Sequence, residues 1–139
     1  MAFNVNFSGD VGQFSPLNLA FVGDAVYSLL TRQRLVTDAN RPANSLNKLS
    51  SQRVCAVSQS VDYYRVLPLL TEEEAAIAKR GRNANPSHKA KNASAAEYRN
   101  ATGLEALFGY LYLSGENERI MELFDIIWSG DTNEKQENL

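Results

Sequence analysis

A chain of 139 residues with a hydrophobic fraction of 44% is long enough to form one domain with an ordinary core. The sequence has one cysteine, Cys55, and one histidine, His88, which excludes an internal disulfide, a cysteine–histidine zinc site and any mechanism that needs two histidines per chain. The N-terminus has no signal-peptide pattern and no run of about 18 apolar residues occurs, so the sequence predicts a cytoplasmic protein without a membrane span.

The first half of the chain is predicted to be helical. Ser15 followed by Pro16 is typical of a helix start, with serine as the N-cap and proline at the first helical position. That helix is predicted to end at about residue 36, and two further helices are predicted over about 42–50 and 51–66. The apolar stripe that defines the first helix consists of Leu19, Val22, Val26, Leu29 and Leu30.

Two capping boxes predict helix starts in the second half of the chain. Thr71 with Glu74, and Ser94 with Glu97, have the spacing at which a hydroxyl caps the helix and a glutamate reaches back to the cap. The first of these helices is predicted to end near residues 80–82. The second is predicted to be long, with a core stripe formed by Leu104, Leu107, Phe108 and Leu111.

A last helix is predicted from about 116 to 128, with Gly130 ending it. No segment has the alternation of a strand, so the predicted fold class is all-α. The domain organisation that follows is a flexible N-terminal arm over 1–15, a helical domain over 16–129 and a disordered tail over 130–139.

The two most apolar helices each contain a single charged residue. Asp24 is the only charged residue between positions 11 and 31, and Glu105 is the only one between positions 100 and 115. Neither has a basic residue three or four positions away, so neither has a local ion-pair partner. A buried carboxylate without a partner is costly, so each of these either stays hydrated, pairs with a distant cation or binds a metal ion.

A glycine accompanies each carboxylate: Gly23 directly precedes Asp24, and Gly109 lies one turn after Glu105. A glycine inside a helix costs up to about 1 kcal/mol relative to alanine, and a close approach of two helices is one physical reason to tolerate it. Such an approach would let both carboxylates reach one ion. Oxygen ligands without thiolate or imidazole suit Mg²⁺, with Mn²⁺ as a substitute. The alternative is that each acid is simply solvated and the two helices do not touch.

Basic residues concentrate between Lys79 and Arg99. The whole chain has a net charge of −2, but this window has six basic residues against Glu97 alone. The functional interpretation is a clamp for the phosphate backbone of a nucleic acid, and the alternative is a solvated loop with cations that cap a helix. The candidate clamp residues are Lys79, Arg80, Arg82, Asn83, His88, Lys89, Lys91 and Arg99.

Three segments resemble motifs of the ribonuclease III family. Residues 18–26, Asn-Leu-Ala-Phe-Val-Gly-Asp-Ala-Val, are similar to its signature Phe-Leu-Gly-Asp-Ala. Residues 102–113 are similar to its second acidic motif, Glu-Ala-Leu-x-Gly-x-x-Tyr/Phe-Leu. Residues 79–84, Lys-Arg-Gly-Arg-Asn-Ala, resemble the motif of its Mini-III branch. The resemblance extends over about residues 16–128, in the family's order and spacing.

This resemblance implies the helical ribonuclease III endonuclease fold and a homodimer with two active centres across a shared RNA-binding valley. It implies an endoribonuclease that cuts double-stranded RNA by Mg²⁺-assisted hydrolysis, with Asp24 and Glu105 as catalytic metal ligands, and leaves a 5′-phosphate and a 3′-hydroxyl. The Mini-III branch implies maturation of the ends of the large-subunit (23S) ribosomal RNA precursor. Whether a ribosomal protein assists stays open.

The sequence departs from full-length ribonuclease III in two ways. Ala20 and Thr102 stand where those enzymes have two further acids, which leaves fewer protein ligands and more water around a metal ion. No double-stranded-RNA-binding domain follows Trp128, so RNA affinity is expected from the helical domain itself. The alternative functions are a non-catalytic double-stranded-RNA-binding dimer acting in ribosome assembly and, more distantly, a helical protein-interaction module.

Overall fold

The structure, a computed structural model, describes residues 7–84 and 93–137, with side chains up to Asp131. These ranges form an all-α domain, as predicted, and none of their helices is long and apolar enough to cross a membrane. The helices are α1 (Pro16–Asp38), α2 (Ala43–Arg53), α3 (Ala56–Val66), α4 (Glu72–Asn83), α5 (Ala95–Leu113) and α6 (Asn117–Glu137).

The helix starts are set by local hydrogen bonds that the sequence predicted. The Ser15 hydroxyl accepts from a backbone N–H in the first turn of α1. Both capping boxes are formed: the Thr71 backbone donates to Glu74 Oε1 at 3.0 Å, and the Ser94 backbone donates to Glu97 Oε1 at 2.9 Å. These bonds satisfy N–H groups that have no partner within the helix, which fixes where α4 and α5 begin.

Helix α5 is the centre of the domain and packs against α1, α3 and α4. The predicted core stripe of α5 is confirmed, since all four of its residues are buried. Burial extends around the whole helix between Asn100 and Gly109, where Glu105 alone is partly exposed. Because α5 is surrounded by other helices, any partner of Glu105 must come from another element.

The buried face of α1 differs from the predicted stripe. Leu29 is 54% exposed, and Val22 and Val26 are only half-buried. The buried face passes instead through Gly23 and Tyr27, whose ring packs edge-on against two phenylalanines at 5.5 Å between centroids. The stripe prediction is confirmed for Leu19 and Leu30, which are buried, and wrong for Leu29, because the helix approaches α5 through its smallest residue, Gly23.

The N-terminal arm is packed against the domain from Val11 to Phe14, which corrects the expectation of a loose segment there. Residues Val11–Gln13 form a short 3-10 helix, and Val11 is buried. Arg80 on α4 secures this segment, because its guanidinium donates to the backbone oxygens of Gly12 at 2.7 Å and Phe14 at 3.2 Å. The small core that covers Val11 consists of Leu19, Ala20, Ile77 and Ala106.

Helix α6 continues through Gly130 to Glu137, so the predicted helix end at Gly130 is wrong. A Cβ on Gly130 would lie 2.2 Å from Nε of Arg65, so this glycine makes room for a side chain of α3. The next residue, Asp131, accepts hydrogen bonds from Arg65 and from Arg53, the latter at 2.9 Å. Two long-range ion pairs therefore hold the helix at the point where the sequence predicted a tail.

The boundary between α2 and α3 also lies later than predicted. Helix α2 reaches Arg53, and α3 begins at Ala56 after an extended Cys55. The break occurs instead where the backbone of Cys55 leaves the helical conformation.

Candidate active site

Helices α1 and α5 cross with their backbones in contact at two glycines. A Cβ on Gly23 would lie 1.6 Å from the backbone oxygen of Glu105, and a Cβ on Gly109 would lie 1.9 Å from the backbone oxygen of Leu19. No side chain fits at either position without moving a helix. The prediction that these glycines allow a close approach of the two helices is confirmed.

The crossing brings the two isolated carboxylates together. Asp24 follows Gly23 at the edge of the buried face of α1 and is exposed, whereas Glu105 on α5 is half-buried. The two side chains are close enough for Asp24 to raise the pKa of Glu105. The alternative of two unrelated, separately solvated acids is therefore excluded.

The proximity of the two acids changes the titration of Glu105. Burial, then the charge of Asp24 and the hydrogen bond to it, raise the pKa of Glu105 to about 8. The amide of Gln59 opposes this shift. Near neutral pH and without a cation, the Glu105 carboxyl therefore keeps its proton.

Gln59 is a residue of this site that the sequence did not reveal. It lies on α3, is only 3% exposed, and its side chain is near Glu105. Among the described residues, its Nε2 has no acceptor in hydrogen-bonding geometry. The sequence contains no signal for this placement, because the pairing of α3 with α5 is a long-range contact.

The donor set fits the divalent cation that the ribonuclease III resemblance implies. Asp24 and Glu105 offer only carboxylate oxygens, and a divalent cation would displace the proton that the raised pKa keeps on Glu105. No group of three or more Asp, Glu, His or Cys residues gathers in the described part of the chain. At this site the described residues therefore offer two carboxylates, and water would complete the shell of a bound ion.

The two positions at which full-length ribonuclease III has further acids are closed by packing. Ala20 is 7% exposed and belongs to the small core beside the N-terminal segment. Thr102 is 6% exposed, and its hydroxyl donates to the backbone oxygen of Tyr98 at 3.0 Å. Ala20 has no side-chain oxygen, and the Thr102 hydroxyl is bonded within α5.

Two arginines of the predicted clamp are held by the fold. Arg80 binds the backbone of the N-terminal segment, as described above. Arg82 Nε donates to Asn100 Oδ1 at 2.9 Å, and the same amide donates to the Ser60 hydroxyl at 3.0 Å. The positions of both arginines are therefore fixed by partners within the domain.

The other predicted clamp residues fall into two groups. Lys79, Asn83 and Arg99 are exposed near the end of α4 and the start of α5. The remaining three, His88, Lys89 and Lys91, lie outside the described residues.

Known proteins resemble this chain along most of its length. The family model for the ribonuclease III domain matches residues 17–116. A Mini-ribonuclease 3 of Thermoanaerobacter sp. is 46% identical over 112 residues, which cover 81% of this chain and 79% of that protein. A Mini-ribonuclease 3 of Brevibacillus brevis is 47% identical over 109 residues, which cover 78% of this chain and 81% of that protein.

The fold is shared with a solved structure as well. The crystal structure of a Fusobacterium nucleatum protein superposes with a TM-score of 0.81 at 33% identity, and the match covers 89% of this chain and 99% of that one. The glycine crossing and the carboxylate pair lie within residues 17–116, the part that the family model matches. The chain thus belongs to the ribonuclease III family, in its Mini-ribonuclease 3 branch.

Proposed function

We propose that this chain is an endoribonuclease that hydrolyses phosphodiesters in double-stranded RNA with Mg²⁺, for which Mn²⁺ can substitute. The observation that carries this proposal is the contact between Asp24 and Glu105 at the glycine crossing. Membership of the ribonuclease III family supports the substrate class.

The two carboxylates would have different tasks in this reaction. Glu105 is half-buried on the central helix, so it fixes the position of the ion, whereas Asp24 is exposed and keeps the ion open to substrate. When bound, Mg²⁺ activates a water molecule and stabilises charge on the phosphate oxygens. The water oxygen forms a bond to phosphorus and the bond to the 3′ oxygen breaks, which leaves a 5′-phosphate and, after protonation, a 3′-hydroxyl.

The active form in this proposal is a homodimer. Phe21 on α1 is 82% exposed and adjoins a hollow of about 460 Å³. An exposed aromatic beside an apolar hollow suits a self-complementary contact between two copies of the chain. The other residues that line the hollow are Phe7, Phe14, Asn18, Leu19, Val22 and Leu113.

Phe21→Asp is expected to convert a dimer into a monomer without unfolding the chain, because the ring is exposed within one protomer and a buried interfacial charge is unfavourable. Sedimentation equilibrium gives the mass, and thermal melting checks the fold. A wild-type protein that sediments as a single 15.4 kDa chain at micromolar concentration would contradict the dimer.

RNA binding is assigned to the basic segment that starts at Lys79. A-form RNA hides its major groove, so backbone contacts and shape suit it better than the reading of bases. Lys89→Ala combined with Lys91→Ala is expected to weaken binding and to reduce the salt slope by about 1 to 2, because each phosphate contact releases counterions. Binding is measured at several salt concentrations, and an unchanged slope would remove these lysines from the interface.

The proposed natural substrate is the precursor of large-subunit (23S) ribosomal RNA in the cytoplasm, whose duplex ends this enzyme would mature. The basis is the Mini-ribonuclease 3 branch, together with the segment 79–99, in which six basic residues stand against Glu97 alone. A ribosomal protein that remodels the precursor is a further partner to test in the same assay.

A non-catalytic double-stranded-RNA-binding dimer is the second candidate. It is favoured by one observation, the packing of Ala20 and Thr102 where further acids would stand, which leaves two carboxylates. Incubation of labelled duplex RNA and of its single strands with Mg²⁺ separates the two functions. Double-strand cuts with 5′-phosphate ends support the nuclease, and duplex binding without cuts under Mg²⁺ or Mn²⁺ supports the binder.

A further inference from the structure

The Gln59 side chain is the one buried polar group in the described part of the chain with an unused donor. It is 3% exposed, and its Nε2 has no partner in hydrogen-bonding geometry. Buried amides are almost always satisfied, and exceptions call for an explanation in each case. The side chain interacts with Glu105 and lowers the pKa of that carboxyl, so Glu105 is the acceptor that this donor would serve.

A neighbouring amide shows that this arrangement is not general in the α3–α5 contact. Asn100 on α5 is also fully buried, but its oxygen accepts from Arg82 and its nitrogen donates to Ser60. Ser60 directly follows Gln59 on α3, so a buried amide at the neighbouring position of this contact does have partners. Among the described buried side chains, the amide donor without a partner is therefore the one beside Glu105.

We propose that Gln59 is a positioning residue for the metal centre, whose Nε2 donates to the Glu105 carboxylate when a divalent cation is held by Asp24 and Glu105. This inference rests on the proposed function, because it assigns an outer partner to the metal pair proposed there. Carboxylates that bind metal ions are themselves hydrogen-bonded, and the loss of such a partner lowers metal affinity by about 10- to 100-fold.

The small number of protein ligands makes this support more important. With Ala20 and Thr102 closed by packing, only two carboxylates hold the ion, so the orientation of each one matters more. Asp24 is exposed and Glu105 is held from the side of α3. Gln59 therefore fixes the carboxylate that anchors the ion, and it does not touch the RNA.

The test measures metal binding in the absence of RNA. Wild-type protein and two variants, Gln59→Leu and Gln59→Glu, are titrated with Mn²⁺, and binding is followed by the Mn²⁺ electron paramagnetic resonance signal and by the melting temperature. We expect Gln59→Leu to need at least about 10-fold more Mn²⁺ for half-saturation. We expect Gln59→Glu to show a larger Mn²⁺-induced rise in melting temperature than wild type, because it adds a third carboxylate.

The matched control is Asn100→Leu, which removes a buried and fully partnered amide from the same helix contact. It is expected to lower the melting temperature in EDTA but to keep the wild-type Mn²⁺ half-saturation. If Gln59→Leu needed the same Mn²⁺ concentration for half-saturation as wild type, the inference would be overturned and the metal centre would stand. Should the leucine variant not fold, the same result in Gln59→Glu would overturn the inference. A wild-type protein that shows no Mn²⁺ binding would overturn the proposed metal centre and the inference with it.

Discussion

Asp24→Asn and Glu105→Gln are each expected to reduce cleavage of double-stranded RNA by more than about 100-fold. Loss of an outer partner of a metal ligand already costs up to about 100-fold, and each of these changes removes one of the two carboxylates that the chain offers. Single-turnover cleavage of a labelled duplex measures the effect. Either variant cutting at the wild-type rate would show that the removed carboxylate does not hold the ion.

The loss is expected to be chemical and not structural. The pKa of Glu105 is raised from 4.5 to about 8 in the folded chain, so the folded state binds its proton more tightly than the unfolded state. The stability that this proton brings is present in full at low pH and is lost as the pH rises from about 4.5 to 8. In EDTA at pH 8, Glu105→Gln should therefore melt above wild type, and its duplex binding should remain.

Gly23→Ala and Gly109→Ala are expected to destabilise the fold by at least about 3 kcal/mol, the upper end of the range for overpacked cores. The added methyl would meet backbone atoms at 1.6 Å and 1.9 Å, and backbone cannot turn aside as a flexible side chain can. Helices α1 and α5 would have to separate, which would also part the two carboxylates. Urea unfolding measures the change in free energy.

Gly12→Ala is the control for this pair of variants. A Cβ there would have its nearest contact at 3.3 Å, with Asp10 Oδ1, so the change is expected to stay within about 1 kcal/mol. If Gly23→Ala were as stable as Gly12→Ala, the close helix crossing would be wrong, and with it the account of how the two acids meet.

The sequence predicted features that depend on neighbouring residues. The N-cap of α1 and both capping boxes lie within four residues of the bonds they form, so residue type and spacing were sufficient. The carboxylate pair was predicted for a different reason. Gly23 and Gly109 have an unfavourable helix propensity, and a close helix crossing is a physical compensation for it.

The features that the sequence failed to predict depend on contacts far along the chain. Gly130 was interpreted as a helix end, whereas it makes room for Arg65, and Asp131 anchors α6. Arg80 was grouped with a phosphate clamp by charge, although it holds the N-terminal segment. Gln59 drew no attention, because only the packing of α3 on α5 brings it to Glu105.

Cleavage of a long double-stranded RNA by wild type and by Asp24→Asn, each in Mg²⁺ and in EDTA, tests the central claim most directly. We expect double-strand cuts by wild type in Mg²⁺ and none in the other three reactions, with duplex binding retained by the variant. Cuts by wild type in EDTA, or by Asp24→Asn at the wild-type rate in Mg²⁺, would contradict a metal centre built on Asp24 and Glu105.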